Sequence, residues 1–242
     1  MEEWRLLDLE YANLYMNLAI EQAILRIVGS GMASSTLRFW RNVNAVVVGY
    51  FQGVQSEVNI EMCKKYETTI ARRMTGGGCV YQDLGNLNYS LFLSKDHPLV
   101  PKDILEIFRV VSEGVVWGLN VLGLDAEFKP PNEIQIDGEK VSGMAGCIRW
   151  RAVLVHGTLL VSSNLRMMSN VLRVLKRKVT TFKEKIGEVR ISDVKEALKK
   201  GFEETCKIQL VEGKLTKEEE ELAKRLCKEK YCKDKWNYRK LE

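Results

Sequence analysis

The sequence is poor in the residues that most often hold metal ions. Only two histidines, His97 and His156, occur in the 242 residues, and the six cysteines are scattered without a C-x-x-C pair. Structural zinc sites and redox disulfide motifs need paired ligands at short spacing, so neither is predicted. Free thiols in a reducing compartment are the plain interpretation of the cysteines, which are Cys63, Cys79, Cys147, Cys206, Cys227 and Cys232.

Long apolar runs and targeting signals are also missing. No apolar stretch reaches the length needed to cross a bilayer, and residues 1–6 lack the basic and then apolar order of a signal peptide. We therefore expect a cytoplasmic protein that does not enter a membrane. The hydrophobic content of 45% is ample for a packed core in one large domain.

Charge is uneven along the chain, although the formal net charge is only +5. The segment 166–207 holds 12 Lys/Arg residues against 6 Asp/Glu, including the triplet Lys176-Arg177-Lys178. Such a segment either attracts an acidic partner or forms a solvated helix surface. Nucleic acid is not predicted as a partner, because the segment is poor in the aromatic residues that would stack on bases.

The common phosphate-binding motifs are absent. There is no G-x-x-x-x-G-K-[ST] loop, and no G-x-G-x-x-G within a strand–helix–strand unit. Instead, Arg72 and Arg73 precede three glycines at 76–78. Glycine lets backbone N–H groups approach an anion, and arginine offers a forked donor to phosphate oxygens. From these residues alone, a tight turn and an anion cradle are about equally favoured.

The residues after the glycines alternate as strands do. Six of them share one parity on either side of a turn at 84–86: Cys79, Tyr81, Leu87, Tyr89, Leu91 and Leu93. The pattern predicts a strand, a bend and a second strand. The glycines should therefore lie at a sheet edge rather than open a helix.

Other segments predict further helices and a hairpin. Apolar spacing favours helices at 11–28, 59–68, 101–122, 192–205 and 217–230, with Ser192 and Thr216 as caps of the last two. Strands are predicted at 4–9, 36–40, 45–49, 69–71 and 153–161, with 36–40 and 45–49 expected to pair. Asp137-Gly138 predicts a tight hairpin turn just before Lys140, a position where a lysine is ordinarily a solvated edge residue.

Residues 72–90 read R-R-x-T-G-G-G-x-V-Y-x-D-x-G-N-L-N-Y-S, which resembles the defining motif of the lipoate–protein ligases. Further segments are similar to that family in the family's order. They are N-L-A-I-E at 17–21, N-E-I at 132–134, D-G-x-K-V-S-G at 137–143, H-G-T-L-L at 156–160 and D-K-W-N-Y at 234–238. Tyr50 stands where the family usually has a basic residue. The resemblance spans essentially the whole chain.

The resemblance implies an α/β (α+β) fold with a mixed, largely antiparallel sheet and packed helices, similar to the catalytic domain of biotin–protein ligases. Residues 1–242 would form the large catalytic domain. The small accessory domain that follows the D-K-W-N-Y segment in these ligases is expected to be absent from this chain. The chain thus resembles the archaeal-type split ligases, whose small domain is a separate polypeptide.

The resemblance also implies a reaction in two steps. Lipoate and Mg²⁺-bound ATP would form lipoyl-adenylate and pyrophosphate, and a lysine of an acceptor would then take the lipoyl group as an amide. The acceptors would be lipoyl domains of 2-oxoacid dehydrogenase E2 or glycine-cleavage H protein, docking on the segment 166–207. A separate small subunit is a further expected partner. Preference between lipoate and octanoate stays open.

Site residues follow from their positions in the matching motifs. Lys140 is expected to meet both the carboxylate and the α-phosphate as a fixed cation, because two anions must be brought together there. The adenylate and ATP are expected to contact Arg72, Gly77, Gly78, Cys79, Val80, Asn132 and Lys140. The lipoyl pocket is expected to comprise Gly78, Gly143, His156, Gly157 and Thr158, with no proton-transfer role for His156.

Three alternatives to a ligase stay open. An octanoyltransferase of related fold would need an activated cysteine, yet this chain has Val153 at one expected position and no cysteine within 125–139 at the other. Cys147 is the only thiol near them. A biotin–protein ligase is disfavoured because its phosphate loop lacks R-R-x-x-G-G-G. The third alternative is a non-catalytic subunit that binds lipoate or the acceptor without turnover.

Overall fold

The computed structural model describes residues 1–173 and 178–239, which fold into two sheets with helices packed on them. The strands are β1 (Glu2–Asp8), β2 (Thr36–Trp40), β3 (Asn44–Val48), β4 (Thr69–Arg72), β5 (Val80–Asp83), β6 (Asn86–Ser94), β7 (Ala126–Lys129), β8 (Glu133–Ile136), β9 (Glu139–Arg149), β10 (Ala152–Leu160) and β11 (Ile208–Glu212). The helices are α1 (Leu14–Gly29), α2 (Val54–Glu57), α3 (Ile60–Lys65), α4 (Ile104–Val121), α5 (Leu165–Val171), α6 (Phe182–Ile186), α7 (Ile191–Cys206), α8 (Lys217–Leu226) and α9 (Asp234–Asn237).

The larger sheet has eight strands in the order β11-β1-β2-β6-β10-β9-β8-β7. β1 pairs in parallel with β11 and β2, and the remaining pairs in this sheet are antiparallel. Helices α4 and α7 cover one face, and α1 and α8 cover the other. The expected mixed, largely antiparallel sheet with packed helices is confirmed.

The smaller sheet, in the order β4-β3-β5, carries the glycine-rich segment between its two edge strands. The central strand β3 is buried on both faces, as predicted, because Ala45 and Val47 face one core while Val46 and Val48 face another. The predicted pairing of 36–40 with 45–49 is wrong. Both edges of β2 are taken by β1 and β6, so β3 pairs with β4 and β5 instead.

The helices predicted at 192–205 and 217–230 differ from the structure at their ends, and several other predicted helix ends differ by up to three residues. α7 begins at Ile191 after Arg190, which makes no capping side-chain hydrogen bond, so Ser192 is not the cap. Thr216 does cap α8 through a capping box with Glu219. α8 ends at Leu226 and continues as a π-helical turn over Cys227–Tyr231.

The hairpin turn predicted at Asp137-Gly138 is confirmed. Asp137 and Gly138 both have positive φ, 51° and 73°, as the predicted tight hairpin turn requires. All six cysteines are free thiols. Among the described residues, no helix has the length and apolar character to span a bilayer. Lys176 and Arg177 of the predicted basic triplet lie outside the described residues.

Candidate functional site

A cleft with two compartments lies where the smaller sheet meets β9 and β10. The first compartment has a volume of about 600 Å³ and is lined by Leu18, Trp40, Val47, Arg73, Gly77, Gly78, Cys79, Val80, Gln82, Asn88, Asn132, Lys140, Gly143, Met144, Ala145, His156, Gly157 and Thr158. The second has a volume of about 1070 Å³ and is lined by Glu57, Gly78, Cys79, Val80, Tyr81, Asn132, Glu133, Lys140, Thr158, Leu160, Met168, Leu172 and Val179. Both volumes include open solvent at the mouth.

The two compartments form one continuous space, because they share six lining residues: Gly78, Cys79, Val80, Asn132, Lys140 and Thr158. The structure therefore brings together segments that are far apart in the sequence. Of the residues predicted for the site, all except Arg72 line the cleft.

Lys140 lies where the two compartments meet. Its backbone is held on both sides, because its N–H donates to the Lys178 carbonyl at 3.1 Å and its carbonyl accepts from Thr180 at 3.0 Å. Its Nζ lies 3.2 Å from Glu133 Oε1, and 30% of the side chain is exposed. A Cβ atom at Gly143 would lie 2.9 Å from this Nζ, so a glycine there gives the ammonium group its space. Lys140 thus presents a positioned cation to the cleft.

The glycine-rich loop is shaped from within by Arg73. This buried guanidinium donates to the carbonyls of Gly76 and Gly78 at 2.5 and 2.9 Å. Gly77 has φ of 85°, a conformation that L side chains rarely adopt. Within the described parts of the chain, the N–H groups at 76–78 donate to no acceptor. Loop carbonyls turned toward Arg73 and unused amides make a surface suited to an anion.

Arg72, expected at the nucleotide, is placed elsewhere. Its guanidinium is fully buried and donates to the carbonyls of Gly49, Gln52, Trp236 and Asn237 at 2.6–3.1 Å. These acceptors bind the N–H donors of the guanidinium group, and the Arg72 side chain does not line the cleft. The geometry corrects the expectation, because Arg72 ties the chain after β3 to the segment around α9.

His156 is part of a buried hydrogen-bonded chain. Its Nδ1 lies 2.8 Å from Glu21 Oε1 and its Nε2 lies 2.7 Å from Thr75 Oγ1. Ser90 Oγ donates to the same Glu21 oxygen at 2.6 Å. Burial would raise the pKa of Glu21, but the charge of His156 and hydrogen bonds from His156 and Ser90 lower it below its usual value. His156 therefore links the wall of the first compartment to the glycine-rich loop.

Sequence reasoning missed Glu21 as part of the site. It is 1% exposed and lies on the buried side of α1 among apolar residues. A glutamate among the apolar positions of a predicted helix could have indicated a paired, buried carboxylate. Glutamate is almost never fully buried unless it is paired. The apolar walls gave no such signal, because their pattern is that of any core: Leu18, Trp40, Val47, Met144, Met168 and Leu172.

The thiols near the cleft are not activated. Burial raises the pKa of Cys79, which lines both compartments, to about 12. Burial likewise raises the pKa of Cys147, which does not line the cleft, to about 12. A nucleophilic cysteine needs a lowered pKa or an adjacent base. The environment of these two thiols is the reverse of the one that acyl transfer through a thioester requires.

The sequence matches a known family model over most of its length. The lipoyl protein ligase A/B catalytic domain matches residues 13–218. Lipoate-protein ligase A subunit 1 of Thermoplasma acidophilum is 39% identical, with 97% of this chain and 96% of that protein covered. Octanoyltransferase LipM of Halalkalibacterium halodurans is 32% identical, with 99% of this chain and 100% of that protein covered.

Solved structures agree with the sequence matches. A chain from a structural analysis of a bi-partite lipoate protein ligase and its E2 lipoyl domain, from Thermoplasma acidophilum, superposes with a TM-score of 0.91 at 38% identity, covering 100% of this chain and 99% of that one. A Thermoplasma acidophilum protein with bound lipoic acid gives a TM-score of 0.89 at 39% identity, with 98% and 100% covered. A lipoate-protein ligase A bound with ATP gives 0.90 at 39% identity, with 98% and 99% covered. The chain is thus an enzyme of the lipoyl protein ligase A/B family.

Proposed function

We propose that this chain joins lipoate to ATP as lipoyl-adenylate and passes the lipoyl group to a lysine of a lipoyl domain. The observation that carries the proposal is the position of Lys140 at the junction of the two compartments, beside the glycine-rich loop. One cation at the boundary can contact a group from each side. Relatives with bound lipoic acid and with bound ATP support the two ligands.

The first compartment is suited to the lipoyl chain. Leu18, Trp40, Val47 and Met144 give it apolar walls, and the His156–Glu21 pair is hydrogen-bonded within its polar side. A fatty carboxylate whose tail lies there would direct its charged end toward Lys140. The second compartment, which is larger, would hold the nucleotide.

Adenylation requires two anions to meet. A carboxylate oxygen attacks the α-phosphorus, a new C–O–P linkage forms, and the bond from the α-phosphorus to the bridging oxygen breaks to release pyrophosphate. Lys140 offsets the charge between the carboxylate and the α-phosphate, and the amides at 76–78 can donate to phosphate oxygens. Glu133, 3.2 Å from the lysine Nζ, holds the ammonium group in place before substrate arrives.

Transfer then consumes the adenylate. The neutral amine of an acceptor lysine attacks the acyl carbon, the carbon–oxygen bond to AMP breaks, and the amine loses a proton as the amide forms. Thr158 and Asn132 line both compartments at this point and can orient the acyl group by hydrogen bonds. His156 is committed to Glu21 and Thr75, which favours a positioning role over proton transfer.

Mg²⁺ is expected to accompany ATP. Glu57 and Glu133 line the second compartment, and Mg²⁺ bound with phosphates needs only one or two protein carboxylates. The described residues contain no cluster of three or more such ligands that would hold a metal without the nucleotide. Bound with the triphosphate, Mg²⁺ would offset the charge of the leaving pyrophosphate.

Replacing Lys140 tests the proposal directly. Lys140→Ala should lower the rate of lipoyl-adenylate formation by about 10²–10³, the usual effect of losing one electrostatic stabiliser. Lys140→Arg keeps the charge but not the compact ammonium group. Its rate should lie between those of the unmodified protein and Lys140→Ala. Pyrophosphate release with ATP, Mg²⁺ and lipoate measures the rate, and thermal unfolding checks that the fold persists. An unchanged rate in Lys140→Ala would refute the assignment.

The LipM relatives favour the octanoyltransferase alternative, so a separate experiment is needed to test it. The double variant Cys79→Ser, Cys147→Ser should keep adenylate formation if the chain is a ligase, because neither thiol is expected to react. Acyl-carrier-bound octanoate and free lipoate are offered in parallel, and a lipoyl domain is weighed. A mass gain only from the carrier-bound substrate, lost in the double variant, would favour the transferase.

A second subunit is the remaining part of the proposal. The Thermoplasma acidophilum relative is subunit 1 of its ligase, so we expect residues 1–242 to act as the large catalytic domain beside a separate small subunit. Adding candidate small subunits should raise the adenylation rate. No adenylate with any of them would favour a non-catalytic lipoate-binding subunit. Full activity of the lone chain would remove the need for the partner.

A further inference from the structure

The segment 166–207, predicted as a docking face for an acidic partner, neutralises much of its own charge. Six of its cations form ion pairs at 2.5–3.6 Å, all with carboxylates of this chain: Lys178, Lys183, Lys185, Arg190, Lys195 and Lys207. Three of these pairs, made by Lys178 and Lys185, join the segment to the hairpin at Asp137 and Glu139. The sequence count of charges therefore overstates the field that a partner would meet there.

Positive charge without carboxylate partners is concentrated elsewhere, around two aromatic rings. Three cations lie over these rings, Arg149, Lys230 and Arg239. A fourth, Arg26, lies 4.4 Å from the centroid of Trp150 and is near enough to Lys230 to act on its pKa. Within the described residues, none of these four forms an ion pair, although Glu229 and Asp234 lie on the same segment as Lys230 and Arg239. We call this surface the cation–aromatic face, comprising these four residues with Tyr50 and Trp236.

The rings hold the cations close together. Arg239 and Arg149 lie 3.8 and 5.2 Å from the centroid of Tyr50. Lys230 and Arg239 lie 3.9 and 5.2 Å from the centroid of Trp236. A hydrogen bond from Arg239 and the charges of Arg239 and Arg149 lower the pKa of Tyr50. Burial lowers the pKa of Lys230 most, and the charges of Arg26, Arg149 and Arg239 lower it further, to about 8.

The face borders the outer side of the glycine-rich loop. The Tyr50 N–H donates to the Thr75 carbonyl at 2.8 Å, and the exposed ring of Phe51 lies 3.7 Å from the Cβ position of Gly76. Arg149 lies on the same strand, β9, as the cleft residues Gly143 and Ala145. A protein bound there would contact the loop that lines the cleft.

Resting on the proposed function, we infer that the cation–aromatic face docks the acceptor domain through carboxylates that flank the lysine to be modified. Carboxylates of the partner placed there would offset the repulsion among cations that lie close together over Tyr50 and Trp236. Single-stranded nucleic acid fits less well. The faces of Tyr50 and Trp236 are already covered by guanidinium and ammonium groups, so they are not free to stack on bases.

The inference can be tested by measuring how tightly a lipoyl domain binds, which does not require catalysis. The probe is a lipoyl domain of a 2-oxoacid dehydrogenase with net negative charge, titrated calorimetrically at about 50 mM salt, where surface charges are weakly screened. Arg149→Glu should raise the dissociation constant about tenfold. Arg149→Gln should raise it less, because only the glutamate adds repulsion. The matched control is Lys200→Glu, the same change of charge on α7, which should alter binding less than about twofold.

Several results would overturn the inference. They are undetectable binding to the unmodified chain, equal binding by Arg149→Glu, and equal weakening by Lys200→Glu. A labelled single-stranded oligonucleotide that binds in an Arg149-dependent way, while the lipoyl domain does not, would assign the face to nucleic acid. Lipoyl-adenylate formation is assayed separately in every variant. Its absence from the unmodified chain would count against the proposed function, whereas unchanged acceptor binding counts only against the docking face.

Discussion

Glu21 and His156 show how a single buried pair can organise the site. A carboxylate that is 1% exposed carries a large desolvation cost, which hydrogen bonds and an adjacent charge must offset. Here Glu21 accepts from Ser90 and contacts His156, and His156 in turn contacts Thr75 next to the glycine-rich loop. The pair therefore fixes both a wall of the cleft and one end of the glycine-rich loop.

Glu21→Gln should destabilise the protein in a pH-dependent way. The folded-state pKa of Glu21 lies below its usual 4.5, so the ionised group stabilises the fold above about pH 4.5. That contribution is lost as the pH falls through the folded-state pKa. Urea unfolding should show the variant less stable by about 1–3 kcal/mol at pH 7, with a smaller difference at about pH 3.5.

The control for this experiment is Glu113→Gln, at an exposed position of α4. It should leave the unfolding midpoint nearly unchanged at both pH values, since surface substitutions usually have small effects. If Glu21→Gln costs the same stability at pH 7 and at pH 3.5, the ionised form of Glu21 is not what stabilises the fold.

At the scale of elements, α4 and α7 pack so closely that glycines are required where they cross. A Cβ atom at Gly201 would lie 2.1 Å from the Gly114 carbonyl oxygen and 2.9 Å from the Gly118 N. Both contacts are with backbone, which cannot move aside as a side chain can. The close approach holds α7 against the helix that covers β9 and β10, the strands that carry the cleft residues.

Gly201→Ala sets two effects against each other. Alanine favours a helix over glycine by about 1 kcal/mol. Overpacking against backbone costs about 1–3 kcal/mol and more when nothing can yield, so we expect net destabilisation of about 2 kcal/mol. Chemical denaturation measures it. Lys200→Ala, one residue away on the exposed side of α7, should be near neutral, and a Gly201→Ala variant as stable as that control would contradict the close packing.

At the scale of the whole molecule, the segment around α9 stabilises a strand distant in sequence. Asn237 is 1% exposed, its Oδ1 accepts from the Arg72 N–H at 3.0 Å, and its Nδ2 donates to the Tyr231 carbonyl at 2.8 Å. Trp236 Nε1 donates to the Arg72 carbonyl at 2.9 Å. The end of β4, immediately before the glycine-rich loop, is thereby fixed by residues more than 160 positions later.

Asn237→Ala should reduce global stability, because it leaves a buried N–H and a buried carbonyl without their partners. The expected cost is about 2 kcal/mol, or roughly 5 °C in the unfolding temperature of a chain of this size. Lys235→Ala, exposed on the same helix, serves as the control and should shift the temperature little. Scanning calorimetry that shows equal temperatures for the two variants would contradict the tie between α9 and β4.

Features that depend on neighbouring residues could be predicted from the sequence, whereas features that depend on distant segments could not. The hairpin at Asp137-Gly138 and the Thr216 cap were predicted because local backbone chemistry determines them. The pairing of β2 was not predicted correctly, because it depends on strands from other parts of the chain. Motif resemblance placed the cleft residues correctly except Arg72, since the R-R pair does not reveal which guanidinium faces the loop and which the end of the chain.

The sequence by itself determined the family, many of the elements and the cleft residues that belong to its motifs, because motif order and apolar period can be read along the chain. Tertiary structure alone decided how charge is distributed in space. It paired three cations of 166–207, Lys178, Lys185 and Lys195, with carboxylates from other segments. It also brought Arg149, Lys230 and Arg239 together, and in the described residues these three form no ion pair. Electrostatic interactions depend on distance through space, and a count along the chain contains no such distances.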